Sequence, residues 1–159
     1  MSPVRSRLSD GFGLPWFALT VAFSLHVVDE ATTGFLPVYN STVTVLRSRW
    51  TWFPVPTFGF REWLVGLICA VVLCFALTPI ASSGASALRP FAWLYALIHI
   101  LNALGHIAGT IFGHTVSSVA FPRPAPGFYS SPLLLIGSLW LIIRLIHTSP
   151  RKSSFPVVR

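Results

Sequence analysis

Four apolar stretches, separated by connections too polar or too rich in proline to continue them, constrain this chain more than any other feature. They run Leu14–Phe35, Glu62–Ile80, Pro90–Gly113 and Pro132–His147. A helix needs ~20 apolar residues to cross the ~30 Å hydrocarbon layer. Inside that layer each backbone N–H and C=O must be satisfied within the protein, so only helices and closed barrels span it. The first three stretches are long enough, and the fourth is short enough to need a thinned or adapted bilayer. Composition points the same way, with 53% hydrophobic and 9% charged residues, against roughly 25% charged in a soluble domain. The sequence predicts an all-α, polytopic transmembrane helical bundle of four spans, five if the aromatic connection re-enters the membrane. Residues 1–13 read as a polar N-terminal tail, 14–147 as the bundle and 148–159 as a basic C-terminal tail, with no room for a separate soluble catalytic domain.

The formal net charge of +7 is scattered through loops and tails without a stripe or a binding motif, which excludes a nucleic-acid footprint. The basic residues act instead as topology signals. With the amino terminus inside, Arg5, Arg7, Arg89, Arg151, Lys152 and Arg159 fall on the inner side and Arg47, Arg49, Arg61 and Arg123 on the outer. This bias puts both termini in the cytoplasm and the protein in the plasma membrane if the source is bacterial. Arg144, one turn from the end of the last stretch, is expected to snorkel to the inner surface. The first stretch has a basic start and a signal-peptide-like core, but no convincing small-x-small cleavage site follows, so it is read as retained. Cys69 and Cys74 match no zinc or redox spacing and read as small buried hydrophobes.

The connection 36–61 carries Trp50, Trp52, Phe53, Phe58 and Phe60 among arginines and prolines. Aromatic rings beside basic residues suit the membrane–water boundary, so this segment is expected to be an interfacial anchor, with a lid as the alternative. Asn40-Ser41-Thr42 fits a glycosylation sequon, a pattern too common to weigh alone. The connection 116–131 holds Pro122, Pro124 and Pro126 and is expected to be non-helical.

Against this apolar background the polar residues stand out. His26, Asp29 and Glu30, at i, i+3 and i+4, share one face of the first helix, and the two acids are half of the four in the chain. A carboxylate in hydrocarbon is costly unless paired, protonated or metal-bound, so such a residue marks a functional site by default. In the third stretch His99, Asn102 and His106 fall within an arc of about 60°, a polar stripe that lipid cannot satisfy. In a four-span chain the first and third helices run parallel. Glu30 lies as far past Leu14 as His106 lies past Pro90, about 24 Å at ~1.5 Å per residue. His26 and Asn102 match in the same way, so the two polar sets meet near the middle of the membrane.

Three chemistries fit this set. Imidazole and carboxylate on facing helices suit a divalent metal (zinc, iron or manganese), with His26, Glu30, His99 and His106 as candidate ligands and Asp29 or Asn102 orienting them. Metal-free acid–base catalysis would use Glu30 as proton donor and His106 as acceptor. A structural hydrogen-bond network joining helices is the third. No Ser-His-Asp order, phosphate loop or dinucleotide fingerprint is present. Location in the bilayer then implies a hydrophobic or lipid-like substrate for an enzyme. The non-enzymatic alternative is a binding protein, or one that handles protons or cations.

His26-x-x-Asp29-Glu30 together with Asn102-x-x-x-His106 resembles the HXXEE-domain family of small bacterial membrane proteins, over about residues 14 to 147. Phe128-Tyr129-Ser130-Ser131-Pro132 is similar to a Tyr/Pro-containing turn of that family. The resemblance implies a membrane bundle with an enzymatic site built from His26, Asp29, Glu30, Asn102 and His106. Asp29 departs from the family's first Glu by one methylene, which moves the carboxylate by about 1.5 Å, a large displacement for a catalytic group.

Overall fold

The computed structural model describes residues 11–121 and 123–148. Most of the two predicted tails therefore lies outside the described residues. Among the described residues six α-helices follow in chain order: α1 (Gly13–Thr33), α2 (Phe35–Arg49), α3 (Phe60–Ala76), α4 (Thr78–Ser82), α5 (Arg89–Phe112) and α6 (Ser131–His147). A short 3-10 turn, Ser86–Leu88, leads into α5, and the one β pairing among the described residues is an isolated bridge, His114–Ala120. Two continuous helical stretches, Phe60–Ser82 and Ser86–Phe112, are long and apolar enough to cross a membrane, and α6 is a shorter apolar helix.

The core is built from α1, α5 and α6. The last of these packs against both of the others, while α3 lies on a different side of α1. Small residues let the backbones approach: Ala92, Ala96, Ala103 and Ser138 are buried, and a Cβ on Gly137 of α6 would stand 3.2 Å from Leu19 Cα of α1. Close packing of small residues is how apolar helices associate where lipid competes for every larger side chain. Trp16 fills the space among α1, α3 and α5, fully buried, with its indole N–H donated to Cys74 O at 2.8 Å and its ring against Tyr95. The outer faces remain apolar. Val65 and Val72 on α3 and Leu101 on α5 are 58%, 61% and 70% exposed, far more open apolar surface than a water-soluble monomer carries.

Two sequence expectations need correction. The connection 36–61 is not loop throughout, because its first part is the fifteen-residue helix α2. Gly34, at φ 81°, ends α1 in the left-handed conformation that favours glycine and lets the chain restart at once; Pro37 falls in the first turn of α2, where its missing N–H costs nothing. The predicted N-terminal tail also ends early, since Phe12 is fully buried and its N–H bonds to Ala81 O. Arg144 reaches Gly11 O at 3.2 Å, tying that entrance to the end of α6. Arg89 closes the last turn of α6 through Leu145 O and Thr148 Oγ1, satisfying carbonyls the helix leaves open.

The Gly137 contact sets a test. Gly137→Val should force α6 away from Leu19 and lower stability by about 1–3 kcal/mol, read as a lower melting temperature in detergent. An unchanged melt would show that the two helices are not held this closely.

Candidate functional site

The C-terminal halves of α1 and α5 bring together His26, Glu30, Asn102 and His106. Glu30 stands three residues before the end of α1 and His106 six before the end of α5, each within two turns of its helix end. His106 Nε2 lies 3.1 Å from Glu30 Oε1, and His26 Nε2 lies 3.3 Å from the same oxygen. Asn102 Nδ2 is 2.9 Å from His26 Nε2. The pairs expected from depth, Glu30 with His106 and His26 with Asn102, are the pairs in contact. His26, Glu30 and His106 are each buried, with one ligand atom apiece lying within 4.8 Å of the others.

Asp29 does not join this trio. Its Oδ2 accepts hydrogen bonds from the backbone N–H and the hydroxyl of Ser130, both at 2.8 Å. Ser130 directly precedes α6, where the first N–H groups of a helix lack partners and a negative charge is favoured. The shorter Asp side chain is therefore the anchor of another helix start. Ser130 Oγ also lies 2.7 Å from His26 Nδ1. A hydroxyl has one proton and an ionised carboxylate only accepts, so with that proton on Asp29 the imidazole must donate from Nδ1. The Asn102 amide nitrogen, a donor, faces the other ring nitrogen, so the neutral His26 ring carries its proton on Nδ1 and accepts at Nε2, between Asn102 and Glu30.

The loop before α6 completes the frame. Gly127 adopts φ 81° and packs on the face of the His106 ring, where a Cβ would fall 2.6 Å from Cε1 and 2.8 Å from Nδ1. Its N–H is donated to Thr33 Oγ1 at 3.0 Å, which joins the loop to the end of α1. Thr110 accepts the Ala125 N–H at 2.9 Å and donates to His106 O, pinning the other side of the same loop to α5. The one sequence signal near this support was the Phe128–Pro132 segment, which contains Ser130; Gly127 precedes it, and nothing in their spacing separates the two from ordinary turn residues.

His99 is placed outside the trio. It is buried between Phe23 and Tyr95, ring centroids 4.5 and 4.7 Å away, and its Nδ1 has no hydrogen-bond partner. Asn40, the sequon residue, holds the returning chain through Phe58 O and Phe58 N at 2.9 and 3.1 Å, so its amide already has a structural use. Beside His106 a cavity of about 200 Å³ opens between α2, α5 and the loop before α6.

Comparison with protein-family models, with curated proteins and with solved structures finds no match to this chain. The resemblance to HXXEE-domain proteins thus rests on the motif residues.

Ser130→Ala should leave the His26 Nδ1–H without its acceptor and take one of the two donors from Asp29 Oδ2, which keeps the backbone N–H, at a cost of about 1–3 kcal/mol. Gly127→Ala should displace the His106 ring at a strained φ. Both predictions are read by thermal melts and by the ¹⁵N shifts of labelled histidine, in which wild-type His26 should show the Nδ1–H tautomer. An Nε2–H signal from His26 would refute the relay.

Proposed function

We propose that the protein is a small integral-membrane enzyme, with four spans formed by α1, α3–α4, α5 and α6, whose His26, Glu30 and His106 hold a divalent metal that acts on a hydrophobic or lipid-like substrate. One observation carries the reading: the Asp29–Ser130 pair fixes His26 with its bare Nε2 beside Glu30 Oε1. In the neutral ring Nε2 and Glu30 Oε1 are both acceptors, 3.3 Å apart in a buried site, an arrangement that suits a cation between them. The contacts of 3.3 and 3.1 Å to Glu30 are close to the edge, about 3.4 Å, of a tetrahedron around an ion at ~2.0–2.1 Å. Metal-bound histidines also donate their second nitrogen to a carboxylate or similar acceptor, the role Ser130 and Asp29 fill for His26.

Two histidines and one carboxylate suit zinc, iron or manganese and leave positions open for substrate. A bound ion there would supply Lewis-acid polarisation. Asn102, resting on His26 Nε2, is the group that must yield to it. The helices too short or too polar to qualify alone, α1 and α6, are read as spans because their outward faces are apolar: Leu14, Leu25 and Val28 on α1, Leu133, Ile136 and Ile146 on α6 are all at least half exposed. With both termini cytoplasmic, the site lies toward the outer face.

A second reading has its own support. His106 is the member of the trio that lines the cavity, and its bond to Glu30 is a ready proton-transfer pair without any metal.

Elemental analysis of detergent-purified protein tests the choice. About one equivalent of zinc, iron or manganese per chain is expected, falling tenfold or more in Glu30→Gln and His106→Ala, with a chelator lowering the melting temperature of wild type alone. Folded protein without metal, unable to take it up on titration, would eliminate the metal centre and leave the acid–base pair.

A further inference from the structure

The cavity beside His106 is bounded by Phe35 and Val38 of α2, Gly105 and Gly109 of α5, and Phe121 of the following loop. Its polar groups, Asn102, His106 and Thr115, are few, and the first two belong to the site. Thr42 of α2 and Thr115 are hydrogen-bonded to each other at 2.5 Å, closing one side. The opposite side is open along α5. Leu94, Ile98 and Leu101 are 54%, 51% and 70% exposed and, with Gly105, form a continuous i, i+4, i+7 row leading to the cavity. Gly105 itself is exposed, with no atom within 4 Å of where its Cβ would be. An apolar rail on the lipid-facing surface therefore runs to a gap in the wall made by a missing side chain.

Size and level restrict the occupant. At about 200 Å³ the cavity is smaller than the ~300–1,000 Å³ that encloses a whole drug-sized ligand, so it takes one end of a longer molecule. Glu30 and His106 lie about 5–9 Å from the ends of their helices at ~1.5 Å per residue, the depth of the boundary between headgroups and chains.

Building on the proposed enzymatic site, we infer that its substrate is a single-chain amphiphile that slides in from the bilayer between α2 and α5. Its chain lies along Leu94, Ile98 and Leu101, and its polar end, with the first chain atoms, occupies the cavity against Asn102 and His106. The reacting group of such a substrate is next to its headgroup and not at the chain terminus.

The probe is palmitic acid with a photoactivatable diazirine near its carboxyl group, added in trace to the protein in phosphatidylcholine nanodiscs, with labelled residues mapped by mass spectrometry. Labelling should concentrate on Phe35, Leu101 and Phe121 and be competed away by excess palmitate. Gly105→Leu, which meets no protein atom at Cβ and favours helix, should reduce it about tenfold or more, equivalent to ~1.4 kcal/mol or more. Val38→Trp plugs the cavity from the other wall and decides the matter if Gly105→Leu does not fold. Labelling spread equally over Val65, Ile68 and Val72 of α3, and indifferent to excess palmitate and to both plugs, would mean surface lipid only and would overturn the proposal. Metal measured on the same samples keeps the two readings apart. Competed labelling on metal-free protein supports the cavity while removing the metal centre; bound metal without competed labelling does the reverse.

Discussion

The grip of Asp29 on the start of α6 is the contact on which the rest of the arrangement depends. A carboxylate on so apolar a helix is tolerated because it meets two donors at once, a backbone N–H at a helix start and a hydroxyl. In exchange it fixes three things together: where α6 begins, which way Ser130 points, and which nitrogen of His26 carries the proton. Removing the charge would therefore disturb helix placement and imidazole chemistry in the same stroke. This coupling ties α1, α5 and the start of α6 together at one point.

The bundle also holds its helices apart at the right place. Gly137 and Ser138 bring α6 against α1, and the alanines of α5 are buried in the core, but α1 and α5 have few close backbone approaches. Rings and polar side chains span the gap between them: Trp16 with Tyr95 at one end, His26 and Glu30 with Asn102 and His106 at the other. A gap of that width is what allows two imidazoles and a carboxylate to converge, and neighbouring Gly127 trims the space around the second imidazole to the thickness of a ring.

Much of this was legible in the sequence because helix periodicity and rise are rigid. The starts and ends of α1, α5 and α6 fall within a residue or two of those drawn from hydropathy, and equal depth correctly paired Glu30 with His106 and His26 with Asn102. What escaped was set by contacts between segments distant in the chain. Helix α2 was hidden by its mixed composition and by Gly34, which ends one helix and admits the next. His99 shares a face with Asn102 and His106, yet lies a turn deeper among Phe23 and Tyr95, since face alone does not fix reach. Asp29 appeared to be a catalytic or orienting carboxylate one methylene short; its partner, Ser130, is 101 residues away, and no spacing rule connects them.

Gly34 has a wider consequence. With no atom within 4 Å of where its Cβ would be, it joins α1 to α2 through a single residue that imposes no packing on the angle between them. The orientation of α2 is settled instead by Leu36 and Val43, by the Thr42–Thr115 bond, and by whatever its polar face lies upon. If that is the bilayer surface, the gap facing Gly105 is measured from the membrane and not from the bundle. A shift of α2 would then widen or narrow that gap without moving α1 or α5, because the single-residue junction transmits no packing.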